Sequence, residues 1–394
     1  MSDVEARKDA PSPFPAPLQT SPAAQNTNLQ NTAPQAGVAA KIIQPALTVA
    51  PVQNTQQTQP NNTPAIPFIN ASTYHYLTGG GFVGDIASFC IYKNRKTGYA
   101  NMDHIQSFFP GLYCIGAPPS VGKTTISWQL ANQQAYMGAC VLYFSLEQTK
   151  YELVAKSLSH RFYMAYLEDA EQNNGQSSLP RYTSADIRYG NADRTQLNNM
   201  AAVQARDTQD RLFVFDGGFS YTVDDIRHRI ESFISRTGQT PVVIIDYLQI
   251  IAPKSGQKTL DTKDNIDQIV KELKQLQLQY NMTILVISSL NRQNYTMPVE
   301  LGSFKESGSI EYTFDVVWGL QLSLLNDPNF TDIYDKSGKK LGKRNEPEKR
   351  IMLSQAKQDT PRSLELSYIK NRFGPAGQSV SFAYFPAYET FLPL

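Results

Sequence analysis

The chain has 394 residues, enough for two domains of average size, yet its 36 Lys and Arg nearly cancel its 35 Asp and Glu, leaving a formal charge of +1. The field of the whole chain therefore draws in neither nucleic acid nor an anionic membrane, and any such partner has to be held by a local surface. Three cysteines, Cys90, Cys114 and Cys140, are too few and too scattered for a disulfide framework or a zinc site, and they imply a reducing, cytoplasmic setting.

Residues 1–66 are rich in Pro, Gln, Asn, Thr and Ala and carry one aromatic, Phe14. Too little apolar surface is on offer to offset the ordering entropy, so a disordered arm is expected there. It does not read as a signal peptide, and no stretch of the chain approaches the roughly 18 apolar residues of a membrane span. A linker and lead-in segment, 67–110, precedes a single large domain at 111–394.

From residue 111 apolar runs alternate with amphipathic stretches. Strands are expected at 112–116, 140–145, 211–215, 241–246 and 283–288, mostly as unbroken apolar runs, which suits parallel strands covered on both faces. Helices are expected at 123–137, 149–163, 193–207, 222–236 and 261–280. The last carries the stripe Ile266, Ile269, Val270, Leu273 and Leu276. Such alternation predicts an α/β fold with a mostly parallel sheet and helices on both faces. After residue 290 a polar loop is expected at 293–309, then shorter strands at 314–322, 350–357, 363–370 and 378–385. The charged, turn-rich run 326–348 reads as an exposed, mobile hairpin tip.

Chemistry concentrates at 112–125, LYCIGAPPSVGKTT. A strand, a Gly/Pro-rich turn and a helix start follow in the order a P-loop requires. Residues Gly116, Ala117, Pro118, Pro119, Ser120, Val121, Gly122, Lys123, Thr124 and Thr125 form the candidate cradle for ATP. Lys123 is placed to reach the β- and γ-phosphates, and the Thr124 hydroxyl to sit on Mg²⁺. The first glycine of the strict pattern is replaced by Ala117, with Gly116 one residue early. Asp246 ends the apolar strand VVIID, so its carboxylate emerges at the sheet edge where α/β proteins bind ligands. It is the second candidate metal ligand. Glu147 follows CVLYFS in the same way and is the candidate base for the attacking water.

The pieces GAPPSVGKTT, VLYFSLEQTKYELVAKSLS, VVIIDYLQII, SSLNR, FKESGSIEYTFDVV and IKNRFGPAG stand in the order seen in DnaB-type replicative helicases. Over roughly 95–390 the chain resembles the C-terminal, RecA-like motor domain of that superfamily 4 group. Within the lead-in, a Thr-Gly pair and an aspartate match the way that motor begins. The resemblance implies a RecA-like P-loop core with antiparallel strands at its C-terminal end, ATP and Mg²⁺ as ligands, and movement along single-stranded DNA during replication. It implies that Lys370 and Arg372 reach the γ-phosphate of a neighbouring subunit in a homo-oligomeric ring, a hexamer. It also implies that Lys305, Glu306 and Gly308 hold the DNA strand in the channel, and that other replication proteins are partners.

Three departures stand out. Ser289 occupies the strand end where the family usually has glutamine, and Pro118 replaces an arginine. Residues 1–66 do not resemble the family's helical N-terminal domain, which puts ring stability and primase docking in question. A RecA-like ATPase that binds DNA as a regulator or loader without unwinding is the alternative reading. A small-molecule kinase would need an acceptor pocket and a lid, for which the sequence has no signature.

Overall fold

In the computed structural model the described residues are 92, 95–253, 262–292, 295–305, 307–335 and 337–394. The expected arm at 1–66 and most of the segment before residue 95 lie outside them. Among the described residues nine strands form one sheet, in the order β11-β10-β9-β6-β1-β5-β4-β2-β3. Its parallel part comprises β1 (Gly111–Ala117), β2 (Val141–Ser145), β3 (Leu212–Phe215), β4 (Val242–Asp246), β5 (Thr283–Ser289) and β6 (Val316–Leu322). Three antiparallel strands extend it beyond β6: β9 (Arg362–Asn371), β10 (Ser379–Phe385) and β11 (Thr390–Pro393).

The unbroken apolar runs have a plain cause, since side chains of alternate residues enter two separate cores. Tyr113, Ile115, Tyr143, Ile244 and Leu285 pack on one face with Ile126 and Leu130 of α2 (Lys123–Tyr136). Leu112, Cys114, Phe144, Ile245 and Ile284 pack on the other. There they meet Ile226 and Ile230 of α6 (Val223–Thr237), and Ile269, Val270 and Leu273 of α7 (Thr262–Tyr280). Leu273 is fully buried, so its truncation to alanine is expected to cost about 2–5 kcal/mol.

Helix starts follow from local capping. Thr149 and Glu152 make a reciprocal capping box at the start of α3 (Lys150–Gln172), as Thr222 and Asp225 do for α6. Asp193 caps α5 (Arg194–Thr208). Helix α3 runs nine residues past its expected end. A short α4 (Ser184–Tyr189) and β11 were not expected at all. Before the sheet, a short α1 (Ala100–Ile105) is held by Asp103, whose Oδ1 accepts from the backbone N–H and the hydroxyl of Thr97 at 2.6 and 2.8 Å.

Two expectations are corrected. Residues 350–357 are not a strand but belong to helix α10 (Glu346–Ala356). The Asn345–Glu348 capping box starts it, and Leu353 is buried with Met352 and Ala356 beside it. The apolar run Ile351–Leu353 was too short to tell a strand from a helix, and Ile351 points to solvent. Nor is 293–309 all loop, because α8 (Ser307–Thr313) begins inside it and buries Ile310. The hairpin expected within 326–348 is present: α9 (Pro328–Thr331) leads into β7 (Asp332–Tyr334), which pairs with β8 (Lys340–Lys343).

Candidate active site

Strand β1 ends at Ala117 and α2 begins at Lys123, so residues 118–122 turn the chain at the C-terminal edge of the sheet. Gly122 holds φ +98°, a left-handed conformation that glycine adopts at no steric cost. A Cβ there would also lie 2.8 Å from the Phe391 ring. The Lys123 ammonium folds back on its own loop, donating to the carbonyl oxygens of Ala117 at 2.9 Å and Pro118 at 3.3 Å. Burial lowers its pKa, while the Asp246 and Glu147 carboxylates oppose that shift.

A cleft of about 630 Å³ opens over this turn. Its walls include Pro119, Ser120, Gly122, Lys123, Thr124 and Thr125, together with Glu147, Asp246 and Ser289. The remaining four cradle candidates do not line it. Gly116 is inside β1, where the space of a Cβ is taken by the Phe304 ring and by Leu290. Its glycine therefore serves close packing. Ala117 is buried, and Pro118 and Val121 face a separate cavity beside α10.

Two carboxylates arrive from neighbouring strand ends. Ser145 pairs with Asp246 across β2 and β4, and the Leu146 N–H donates to the Asp246 carbonyl oxygen at 2.8 Å. Glu147, exposed, thus emerges beside Asp246, which is only 2% exposed. Burial pushes the Asp246 carboxyl up to about 6; the Thr124 hydrogen bond works against this and the Glu147 charge adds to it. The Tyr143 hydroxyl donates to Asp246 Oδ2 at 3.2 Å and meets Ser127 at 3.0 Å. The Thr124 hydroxyl and the Asp246 carboxylate form a pair of hard oxygen donors, which suits Mg²⁺. Among the described residues no group of three or more His, Cys, Asp or Glu converges as a metal cage. The donor set fits an ion that takes its other ligands from phosphates and water.

Sequence reasoning missed the wall supplied by the C-terminal strands. Tyr384, Pro386, Glu389 and Arg362 all line the cleft, as does Lys156 of α3. Glu389 accepts from Thr125 at 2.6 Å and from Ser184 at 3.2 Å, and pairs with Lys156 at 2.7 Å. Arg362 donates to the Ser120 carbonyl oxygen at 2.9 Å and lies over the Tyr384 ring. Tyr384 and Pro386 lie in the aromatic run FAYFPAY, which reads equally well as core, and no local pattern marks Arg362, Glu389 or Lys156.

Beyond β5 the chain leaves the cleft. Leu290 bridges Phe304, the Asn291 N–H donates to the Ser303 carbonyl oxygen at 2.8 Å, and the Lys305 N–H donates to that of Ser289 at 3.1 Å. Lys305 and Gly308 are exposed, with Gly308 in the first turn of α8; Glu306 lies outside the described residues. Beside the short Ser289 side chain, the Gln249 amide donates to Ser288 Oγ at 2.9 Å and accepts from the Ser289 N–H at 3.1 Å.

The model of the family described as DnaB-like helicase C terminal domain matches residues 95–392. The chain belongs to that family. Among its relatives, the replicative DNA helicase DnaB of Helicobacter pylori is 28% identical over 62% of this chain and 47% of its own length. The DnaB of Haemophilus influenzae is 28% identical over 56% of the chain and 44% of its own. The replicative DNA helicase DnaC of Bacillus subtilis is 25% identical over 76% and 56%. The chain thus spans about half the length of the curated relatives it matches. A solved structure described as an ATPase domain superposes with a TM-score of 0.59 at 18% identity, covering 80% of this chain and 98% of that one. A DnaB-like replicative helicase, solved in a study of its interactions with primase, gives the same TM-score over 79% and 67%. The expected RecA-like fold is the observed one.

Within this DnaB-like domain the basic pair lies far from the cleft. Arg372 Nη1 donates to Asp315 Oδ1 at 3.0 Å, and Asp315 Oδ2 accepts from the Leu112 N–H at 2.8 Å. Leu112 is near the start of β1 and Ala117 at its end, a separation of about 16 Å at the strand rise. Lys370 pairs with Val317, which lies beside Cys114 at the middle of β1, and its ammonium donates to the Glu311 carbonyl oxygen. Neither side chain is brought to the cleft of its own chain.

Proposed function

We propose that this domain is an ATP-hydrolysing motor that moves along single-stranded DNA in replication, working as a homo-oligomeric ring of six subunits. One observation carries this reading. Lys123, Thr124, Glu147 and Asp246 converge on one cleft, and Ser289, in the wall of that cleft, is hydrogen-bonded to the backbone of Lys305. A nucleotide-facing wall and a DNA-facing segment are then joined by one hydrogen bond.

Bound MgATP supplies the γ-phosphoryl bond to be broken and a metal charge that offsets negative charge on the phosphates. Lys123 exchanges the two loop carbonyls for phosphate oxygens, a stronger, charge-assisted pairing. Thr124 and Asp246 would hold the metal. Glu147, exposed to the cleft, orients water and accepts its proton. Loop N–H groups at the start of α2 receive the remaining phosphate charge. Lys370 and Arg372 act from a neighbouring subunit, because neither lines the cleft of its own chain and about 16 Å of strand separates the Arg372 partner Asp315 from the cradle. A cation supplied across the interface stabilises charge that develops only in the transition state, so turnover depends on assembly. Lys305 and the start of α8 contact the DNA backbone and do not read base edges.

Mixing tests the interface directly. Subunits carrying Arg372→Ala and subunits carrying Lys123→Ala are each expected to be inactive. Together they should recover DNA-stimulated hydrolysis, because some interfaces then join an intact cradle to an intact arginine. Monomers that hydrolyse ATP at full rate in the presence of DNA would contradict the proposal.

A further inference from the structure

Asp315 precedes β6 at the edge of the sheet remote from the cleft, and its side chain is only 6% exposed. Both of its oxygens are engaged. Oδ1 accepts from Arg372 Nη1 at 3.0 Å; Oδ2 accepts from Lys274 Nζ of α7 at 2.6 Å and from the Leu112 N–H at 2.8 Å. The backbone is fastened as well, since the Arg372 N–H donates to the Asp315 carbonyl oxygen at 3.0 Å. Arg372 Nη2 meets the Tyr312 carbonyl oxygen at 3.3 Å, yet 51% of the arginine side chain stays exposed. Both terminal nitrogens of the guanidinium are thus held by the chain itself, on a side chain that remains half exposed.

An exposed arginine samples many rotamers, and a cation that must meet a phosphate across an interface loses rate for every misplaced one. A buried carboxylate that is itself fixed by a strand N–H and a lysine is a rigid anchor for such a side chain. The geometry points to Asp315 as the positioning residue for Arg372: it fixes the guanidinium at the exposed surface of its own chain before a neighbouring subunit arrives. This rests on Arg372 acting in trans as proposed above. Asp315 does not line the cleft, so its effect on the reaction passes through Arg372.

The competing role is purely structural, with Asp315 pinning β1, α7 and β9 together. Mixed assemblies separate the two. Asp315→Asn is isosteric and keeps an acceptor for the Leu112 N–H while losing the charge that holds the guanidinium. Its DNA-stimulated kcat is expected to fall at least about tenfold, with KM for ATP within about threefold, the pattern of an interaction missing only from the transition state. Added to Lys123→Ala subunits, which carry an intact arginine and its anchor, it should recover activity. Added to Arg372→Ala subunits it should recover none, and combining the two substitutions in one chain should lower the rate no further than Arg372→Ala alone.

A wild-type rate for Asp315→Asn overturns the proposal. So does its failure to recover with Lys123→Ala under conditions where Arg372→Ala does recover, because the defect then lies in the subunit's own fold. If Arg372→Ala also fails to recover, the trans arginine is wrong and the role of Asp315 falls with it. Should Asp315→Asn not fold, Asp315→Glu keeps the charge and shifts the guanidinium by one methylene. It should lose rate several-fold and be rescued by Lys123→Ala, and a wild-type rate for it overturns the proposal equally.

Discussion

The backbone N–H of Lys305 donates to the carbonyl oxygen of Ser289 at 3.1 Å. Ser289 ends β5 beside Ala117 of β1 and lines the cleft, whereas Lys305 is exposed on the chain leading into α8. A shift of either residue is therefore passed to the other through one peptide hydrogen bond, reinforced by the Leu290–Phe304 bridge.

Lys305→Ala is expected to weaken single-stranded DNA binding about equally for every sequence. Neutralised phosphates release counterions, so the plot of log affinity against log salt should become shallower by about 0.7 for each phosphate that Lys305 no longer neutralises. Titrations of fluorescent oligonucleotides at several salt concentrations measure both quantities. An unchanged slope and affinity would remove Lys305 from the DNA path.

Glu147→Gln retains the shape and exposure of the side chain but cannot take a proton. Turnover should fall by roughly 10²–10⁴, while nucleotide binds to the intact cradle with about wild-type affinity. Paired measurements of hydrolysis and of fluorescent nucleotide binding decide this. Turnover at the wild-type rate would assign the base to another carboxylate.

Burial pushes the Asp246 carboxyl up to about 6, against 3.8 for an ordinary aspartate. Below that pH it is neutral and a poor metal ligand, so the apparent affinity for MgATP should fall about tenfold per pH unit there. The linked effect on the nucleotide-free fold has the opposite sign. The raised pKa contributes stability that is full below about pH 4 and is lost as pH rises through about 6. Asp246→Asn should flatten both profiles, as followed by nucleotide titration and by denaturation across pH 4–8. An affinity that stays constant down to pH 5 would contradict the assignment.

Gly116→Ala adds a methyl where the Phe304 ring already sits. Overpacking of this kind costs about 1–3 kcal/mol, and the ring is the base of the segment that carries Lys305. Thermal unfolding should show the loss. DNA binding should weaken more than nucleotide binding, because Gly116 does not line the cleft. A stability equal to wild type would mean that Phe304 has room to move.

Much of this arrangement was legible in the sequence because it is written in local pattern. Runs such as VLYFS and VVIID are apolar on both faces, so the parallel strands and the carboxylates that close them were found where expected. Lys123 and Thr124 follow a Gly/Pro-rich turn between an apolar strand and a helix, the order a phosphate loop requires. What stayed hidden depends on contacts distant in sequence. Gly116 borders the loop in sequence, but the side a Cβ would take is filled by Phe304, 188 positions later. Glu389 enters the cleft only because β10 and β11 fold back over α2, and no local spacing announces it. Helix α10 was misread because Ile351, Met352 and Leu353 fit either period, and the Asn345 cap was overlooked.

The motor reading is tested most directly on forked DNA with one labelled strand, with displacement and ATP hydrolysis followed in the same reaction. The wild-type protein should release the labelled strand only while it hydrolyses ATP, and Lys123→Ala and Glu147→Gln should release none. Hydrolysis stimulated by single-stranded DNA with no displacement from forks carrying tails of either polarity would contradict this, and would leave a DNA-dependent ATPase that does not unwind.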